Sequence, residues 1–129
     1  MAKATPISIE DAFAALKFLG DRTPESTPEQ AEGAFAALSD YRDGAVFIGH
    51  YAGNSAWERH AKGDELVLVV EGATTLIQLS DDREIRNPLS AGEFMVVPQN
   101  TWHRFETPEG VKIFTVTPQP TDHSVERPE

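Results

Sequence analysis

Cysteine is missing altogether from this 129-residue chain. Its absence excludes disulfides, thiolate zinc sites, iron–sulfur clusters, thiol nucleophiles and CxxC redox chemistry, and it leaves the redox compartment open. Basic residues are scarce: 11 Lys and Arg stand against 21 Asp and Glu, a formal net charge of -10. That excess repels phosphate backbones and anionic lipid, and no stretch interleaves Lys or Arg with aromatics, so neither nucleic acid nor a membrane surface is an expected partner. No apolar run approaches the length of a membrane span. Met1 to Pro6 lack the apolar core of a signal peptide, which points to the cytoplasm. Also missing are a GxSxG nucleophile elbow, a GxGxxG turn and a Walker-type phosphate loop. Adjacent carboxylates such as Asp81-Asp82 and Asp64-Glu65 point to opposite faces of a strand, so they cannot flank one glycosidic bond.

What is present suits one soluble globular domain: 40% of the residues are hydrophobic and 25% charged. A chain of this length buries roughly two-thirds of its extended surface on folding, so it needs neither disulfide nor metal merely to fold. Its character changes near residue 44. Residues 1–43 are expected to form a helical and loop extension, residues 44–118 a β-barrel and residues 119–129 a polar surface tail. In the extension, Ser8 stands three residues ahead of Asp11, and Phe13, Leu16 and Leu19 recur at helical intervals, predicting a short helix from about Ile9 to Leu19, with an extended arm as the alternative. Asp21 to Glu29 reads as a loop. Thr27, Pro28 and Gln30 look like the start of a second helix, from Pro28 to about Leu38, which Gly33 weakens.

From Gly44 onward short apolar runs alternate with Gly, Asp, Asn and Pro at intervals of about 8 to 12 residues. Eight strands are predicted near Ala45–Tyr51, Ser55–His60, Glu65–Val70, Thr74–Leu79, Glu84–Arg86, Glu93–Val97, His103–Glu106 and Val111–Thr117, an all-β sandwich or barrel. Leu66 to Val70 and Phe94 to Val97 show no polar alternation, so both faces of those strands should be covered. A homodimer or the N-terminal helices would supply the cover.

Chemistry concentrates in a few positions. Glu58 and His60, two apart on a strand, point to one face about 6 to 7 Å apart, with Trp57 and Arg59 on the other. Glu65 opens the next strand of the hairpin and comes close to His60, and His103 starts a later strand. Together they offer two imidazoles and two carboxylates. Tyr51, Phe94, Met95 and Phe105 are candidates to line a pocket, with core filling as the alternative. Trp57 and Trp102 should pack outward; His50 belongs to the barrel or a subunit boundary, and His123 to the surface of the tail.

The spacing of these residues resembles the two motifs of the cupin superfamily. Glu58-Arg59-His60, four residues, Glu65, six residues and Gly72 follow its first motif, with Glu58 where the family has its first His and Gly53 one residue nearer than the family's first Gly. Gly92, Pro98 and His103 follow the second, with Asn100 in place of a Gly and Thr107 in place of an Asn. The resemblance spans about Gly44 to Thr117. It implies a double-stranded β-helix, the jelly-roll barrel, often dimeric, with a mononuclear metal inside. Its ligands would fall on His60, Glu65 and His103, with Glu58 either a fourth ligand, an unligated general base or a salt-bridged strand carboxylate. The expected cofactor is one divalent first-row transition metal, Fe, Mn, Ni or Zn. Three functions stay open: a metal-dependent enzyme acting on a small organic molecule, dioxygenase-like or isomerase-like; a non-catalytic small-molecule binding or sensing module; and a metal-free barrel.

Overall fold

The computed structural model describes residues 4–129; of the Met1 to Pro6 segment, residues 1–3 lie outside the described residues. One helix, α1 (Ile9–Ala14), precedes nine strands: β1 (Leu19–Arg22), β2 (Phe35–Tyr41), β3 (Gly44–Asn54), β4 (Trp57–His60), β5 (Glu65–Ser80), β6 (Arg83–Ser90), β7 (Phe94–Val97), β8 (His103–Pro118) and β9 (Thr121–Ser124). The long strands β5 and β8 run antiparallel side by side; β5 also pairs with β6 and β7, and β8 with β3 and β4. Tyr51, Val67, Val69, Leu76, Val97, Phe105 and Ile113 fill the interior from β3, β5, β7 and β8. This is the all-β architecture the patterning predicts, in the jelly-roll form the resemblance implies. No helix among the described residues is long and apolar enough to cross a membrane.

Several predicted breaks are bends. The pairs Glu65–Val70 with Thr74–Leu79, and His103–Glu106 with Val111–Thr117, are the single strands β5 and β8. Gly72 (φ +79) and Gly110 (φ +123) adopt backbone that side-chain-bearing residues avoid, and the ladder shifts register between Gly72 and Thr75. The strands therefore turn the corner of the barrel without ending. Pro88 is accommodated inside β6, an edge strand that pairs only with β5.

The extension departs most from expectation. Ser8 caps α1 as predicted, its Oγ accepting from the Asp11 amide at 3.1 Å, but the helix stops at Ala14 because Leu19–Arg22 is taken into the sheet, parallel to β3. The second helix does not form. Its capping box closes, Thr27 N–H to Gln30 Oε1 at 2.9 Å and Gln30 N–H to Thr27 Oγ1 at 3.2 Å, yet only a turn follows. Gly33 (φ +85) ends it, and Phe35 begins β2, antiparallel to β3, with its ring 5.6 Å from that of Tyr51. Burial of Phe35 beside Tyr51 outweighs a local helix preference worth little in one turn. The tail likewise joins the sheet: β9 pairs with β4, Trp57 opposite Ser124 through His60 opposite Thr121.

One sheet face stays open. Val46, Val116, Leu66 and Val96 lie side by side across β3, β8, β5 and β7, and Phe114, Leu68 and Phe94 form the next row, which ends on the already buried Ile48. Phe94 and Val96 are 62% and 47% exposed. Phe18 stacks on His50, 4.8 Å away, and Phe13 lies under Lys112, so the N-terminal segment covers only the His50–Lys112 end.

Candidate metal centre

Three strands converge to build the site. His60 ends β4, Glu65 opens β5 and His103 opens β8, and all three are at most 5% exposed. The Ala61–Asp64 turn between β4 and β5 returns the chain so that Glu65 meets His60, while Asn100, where the family motif has a Gly, takes φ +63 and donates its amide to the His60 carbonyl at 3.0 Å. Asn tolerates that left-handed backbone, so the motif's turn survives the substitution.

Each imidazole is oriented from behind. His103 Nδ1 meets the Thr101 carbonyl at 3.0 Å and His60 Nδ1 meets Thr121 Oγ1 at 3.0 Å, which turns both Nε2 atoms toward one carboxylate oxygen. Glu65 Oε1 lies 2.9 Å from His103 Nε2 and 3.3 Å from His60 Nε2. Its other oxygen accepts from Thr117 Oγ1 at 2.6 Å, and Thr117 is linked in turn to Thr115 Oγ1 at 2.7 Å. The His60–Glu65 contact is too poorly aligned for a hydrogen bond, and His60 Nε2 is buried with no hydrogen-bond partner. A buried ring nitrogen left without a hydrogen-bond partner is costly unless another group meets it. The ligand atoms of the trio lie within 4.8 Å of one another, and imidazoles held at Nδ1 by a carbonyl or hydroxyl are the usual form of metal-binding histidine. The donor set fits a divalent transition metal.

Burial pushes the Glu65 carboxyl up, but hydrogen bonding to His103 and the closeness of His60 outweigh it and hold the pKa down to about 2. Burial pushes His103 down; the Glu65 hydrogen bond and charge reverse this, so its pKa is raised. Without a metal, the Glu65 hydrogen bond and charge favour the imidazolium form of His103 against the Glu65 carboxylate.

Glu58 is not part of the trio. It shares the His60 face, between His103 on β8 and His123 on β9, but its Oε2 turns to His123 Nε2 at 3.6 Å. That contact raises the pKa of His123, which is exposed as expected of a surface residue and also lines the pocket. Trp57 and Trp102 face away from the trio as predicted, stacking under Arg104 and Arg59 at 5.3 and 4.6 Å.

His60 and Glu65 open onto a cavity of about 780 Å³, a size that suits a small organic ligand, and the fully buried His103 is not among its lining residues. Tyr51 and Phe105 line it, with Phe35, Phe47, Ile113 and Glu58. Met95 does not: facing Val67 on the inner side of β7, it packs against the core. Phe94 lies on the outer face. Sequence reasoning missed Arg22, Thr117 and Thr121. For Thr117 a signal existed, since Val111, Ile113, Thr115 and Thr117 alternate along one strand and place two hydroxyls inward.

The cupin-domain family model matches residues 48–117, the span that carries the trio. The chain belongs to the cupin family. Among solved structures, this cupin resembles a cupin-2 domain containing protein from Shewanella frigidimarina, at TM-score 0.63 and 24% identity over 88% of this chain and 94% of that one. It resembles a protein from Neisseria meningitidis at TM-score 0.63 and 18% identity, over 93% and 100% of the two chains. A third is hydroquinone 1,2-dioxygenase in complex with Cd2+ and 4-hydroxybenzonitrile, at TM-score 0.57 and 17% identity over 65% of this chain and 63% of that one. At these identities the likeness is one of fold. No curated protein matches the chain.

Proposed function

We propose that this cupin holds one divalent first-row transition metal, Fe, Mn, Ni or Zn, on His60, Glu65 and His103, and uses it to transform a small organic molecule bound in the cavity. The observation that carries this is the buried His60 Nε2, left without a hydrogen-bond partner and facing the same carboxylate oxygen as His103 Nε2. Two imidazoles and one carboxylate suit such ions and leave coordination positions free. The ion, when bound, supplies Lewis-acid polarisation or activation of water or dioxygen. The chain supplies the rest: Thr101, Thr121 and Thr117 fix the ligands, apolar walls exclude water and orient the substrate, and Glu58 accepts or returns a proton within the same cavity. The test is elemental analysis of protein purified without tag or chelator, beside the triple variant His60→Ala, Glu65→Ala, His103→Ala. Stoichiometric metal in the parent, lost in the variant, supports the reading; no metal in the parent and none taken up on reconstitution overturns it.

We also propose that a second copy of the chain covers the open apolar face. Its two rows carry no charge, so a two-fold copy buries them without stranding an ion. Phe94→Glu should convert a dimer to a monomer in sedimentation, and a monomeric parent would overturn this.

A further inference from the structure

Arg22 faces the same cavity, and the metal reading gives it no role. It ends β1, and its guanidinium stacks 4.5 Å from the ring centre of Tyr51 and 4.9 Å from that of Phe35. Among the described residues, no other Lys or Arg lines the cavity. The two carboxylates there are already engaged, Glu58 by His123 and Glu65 by the two ligand histidines. Arg59, Arg86, Arg104, Lys112 and Arg127 each pair with an Asp or Glu; Arg22, like Lys17, Arg42, Lys62 and Arg83, has no carboxylate of the described residues within ion-pair distance, but of these it is the one that lines the cavity. In a chain of net charge -10, the cavity thus presents a cation without a protein counter-ion.

The placement is built into the backbone. β1 runs parallel to β3 with Arg22 opposite Gly53, and a Cβ on Gly53, at φ +112, would collide with the Arg22 backbone. Glycine at that position is what lets the strand come close enough to bring Arg22 to Tyr51 and Phe35. The guanidinium lies over the two rings and beside the Tyr51 hydroxyl, with which it interacts, and its fork of N–H donors matches the two oxygens of a carboxylate.

We propose that Arg22 receives the carboxylate of the ligand, so that the molecules this cavity takes are small organic acids with an apolar, aromatic-sized body. The body packs among Phe47, Phe105 and Ile113, and the acid group neutralises the unpaired cation. This deepens the reading of the cavity as the substrate site and rests on it, but it requires no metal to observe.

The experiment titrates benzoate, 3-phenylpropionate and their uncharged amides into chelator-treated full-length protein, by calorimetry and by the Arg22 Nε–H signal in nitrogen-15 spectra. The acids should bind at least about tenfold tighter than the amides, and only the acids should shift the Arg22 signal, which is assigned from the spectrum of Arg22→Lys. Arg22→Gln should weaken acid binding by about tenfold to a hundredfold and leave the amides within about twofold. Should that variant melt early, the parent's selectivity and its Arg22 signal still decide the matter. Equal affinity of acid and amide, an Arg22 signal blind to the acids, unchanged selectivity in a folded Arg22→Gln, or no binding of either acid overturns the proposal. Metal uptake by the same preparation is measured separately: acid selectivity without uptake sinks the metal reading alone, and uptake without acid selectivity sinks this one alone.

Discussion

Two groups of ionisable side chains meet at one cavity and are held in opposite ways. His60, Glu65 and His103 come from the motif strands, are almost wholly buried and are each braced by a hydrogen bond with a threonine hydroxyl or carbonyl. Arg22, Glu58 and His123 sit nearer solvent, two of them on strands contributed by the ends of the chain; the Glu58 and His123 side chains are 21% and 63% exposed. In the buried trio a charge that loses its partner has no water to turn to, so each deletion is costly. In the outer group solvent screens the same change. The inner centre is therefore fixed and the outer one adjustable, as expected where a barrel supplies a metal site and its flanks supply selectivity.

The comparison breaks first at Glu65. Glu65→Ala removes the carboxylate that both imidazoles face, so metal affinity measured by calorimetry should fall by more than about a hundredfold, beyond the range for an outer-shell change. The metal-free protein should also lose about 3 kcal/mol in chemical denaturation, the order expected on stripping one partner from a buried ion pair. A metal affinity within tenfold of the parent would remove Glu65 from the ligand set.

Acidity sharpens the same contrast. Metal must displace the proton that Glu65 helps to keep on His103, so below the raised pKa of that imidazole affinity should drop by about tenfold per pH unit. Glu65, with its pKa near 2, adds no competition until the solution is strongly acid. For metal-free protein the signs oppose each other. The raised His103 contributes stability that is complete below its ordinary 6.5 and is lost as pH rises through its folded value; the depressed Glu65 contributes stability complete above its ordinary 4.5 and lost as pH falls toward 2. Melting temperature should plateau between about pH 4.5 and 6.5 and decline on either side, and a melting temperature that keeps rising above pH 7 would contradict the buried ion pair.

The inner group was legible before the fold was known and the outer one was not, for reasons that lie in the residues. His60 and Glu65 flank a turn, and strand alternation puts His60 and Glu58 on one face whatever the rest of the chain does. Which way the Glu58 carboxylate turns depends on His123, and Thr121-Asp122-His123-Ser124 carries no apolar alternation to announce β9. Arg22 was read as loop because pairing with β3, not its own sequence, makes Leu19–Arg22 a strand. Thr27 and Gln30 sent a true local signal, a capping box, that extends for only a turn before Gly33 and the burial of Phe35 take over. Local chemistry read correctly can still be outvoted by packing that spans the chain.

A smaller effect tests how far bracing matters. Thr117→Val keeps the volume but takes away the hydroxyl that donates to Glu65 Oε2 at 2.6 Å. The carboxylate is then free to rotate away from the imidazoles, and metal affinity should fall about tenfold, the lower end for an outer-shell partner. An unchanged affinity would mean that the histidines alone hold Glu65 in place.

The smallest change belongs to the outer group. Glu58→Gln removes the charge that raises the His123 pKa, so in a proton NMR titration that imidazole should move down toward its ordinary 6.5, while the His103 signal loses only a weak, more distant contribution. Stability should change by no more than about 0.5 kcal/mol, because the pair is open to water. Metal affinity should stay within about twofold, since the Glu58 carboxylate is spent on His123 and not on the trio. A tenfold loss of metal instead would place Glu58 among the ligands and merge the two groups into one centre.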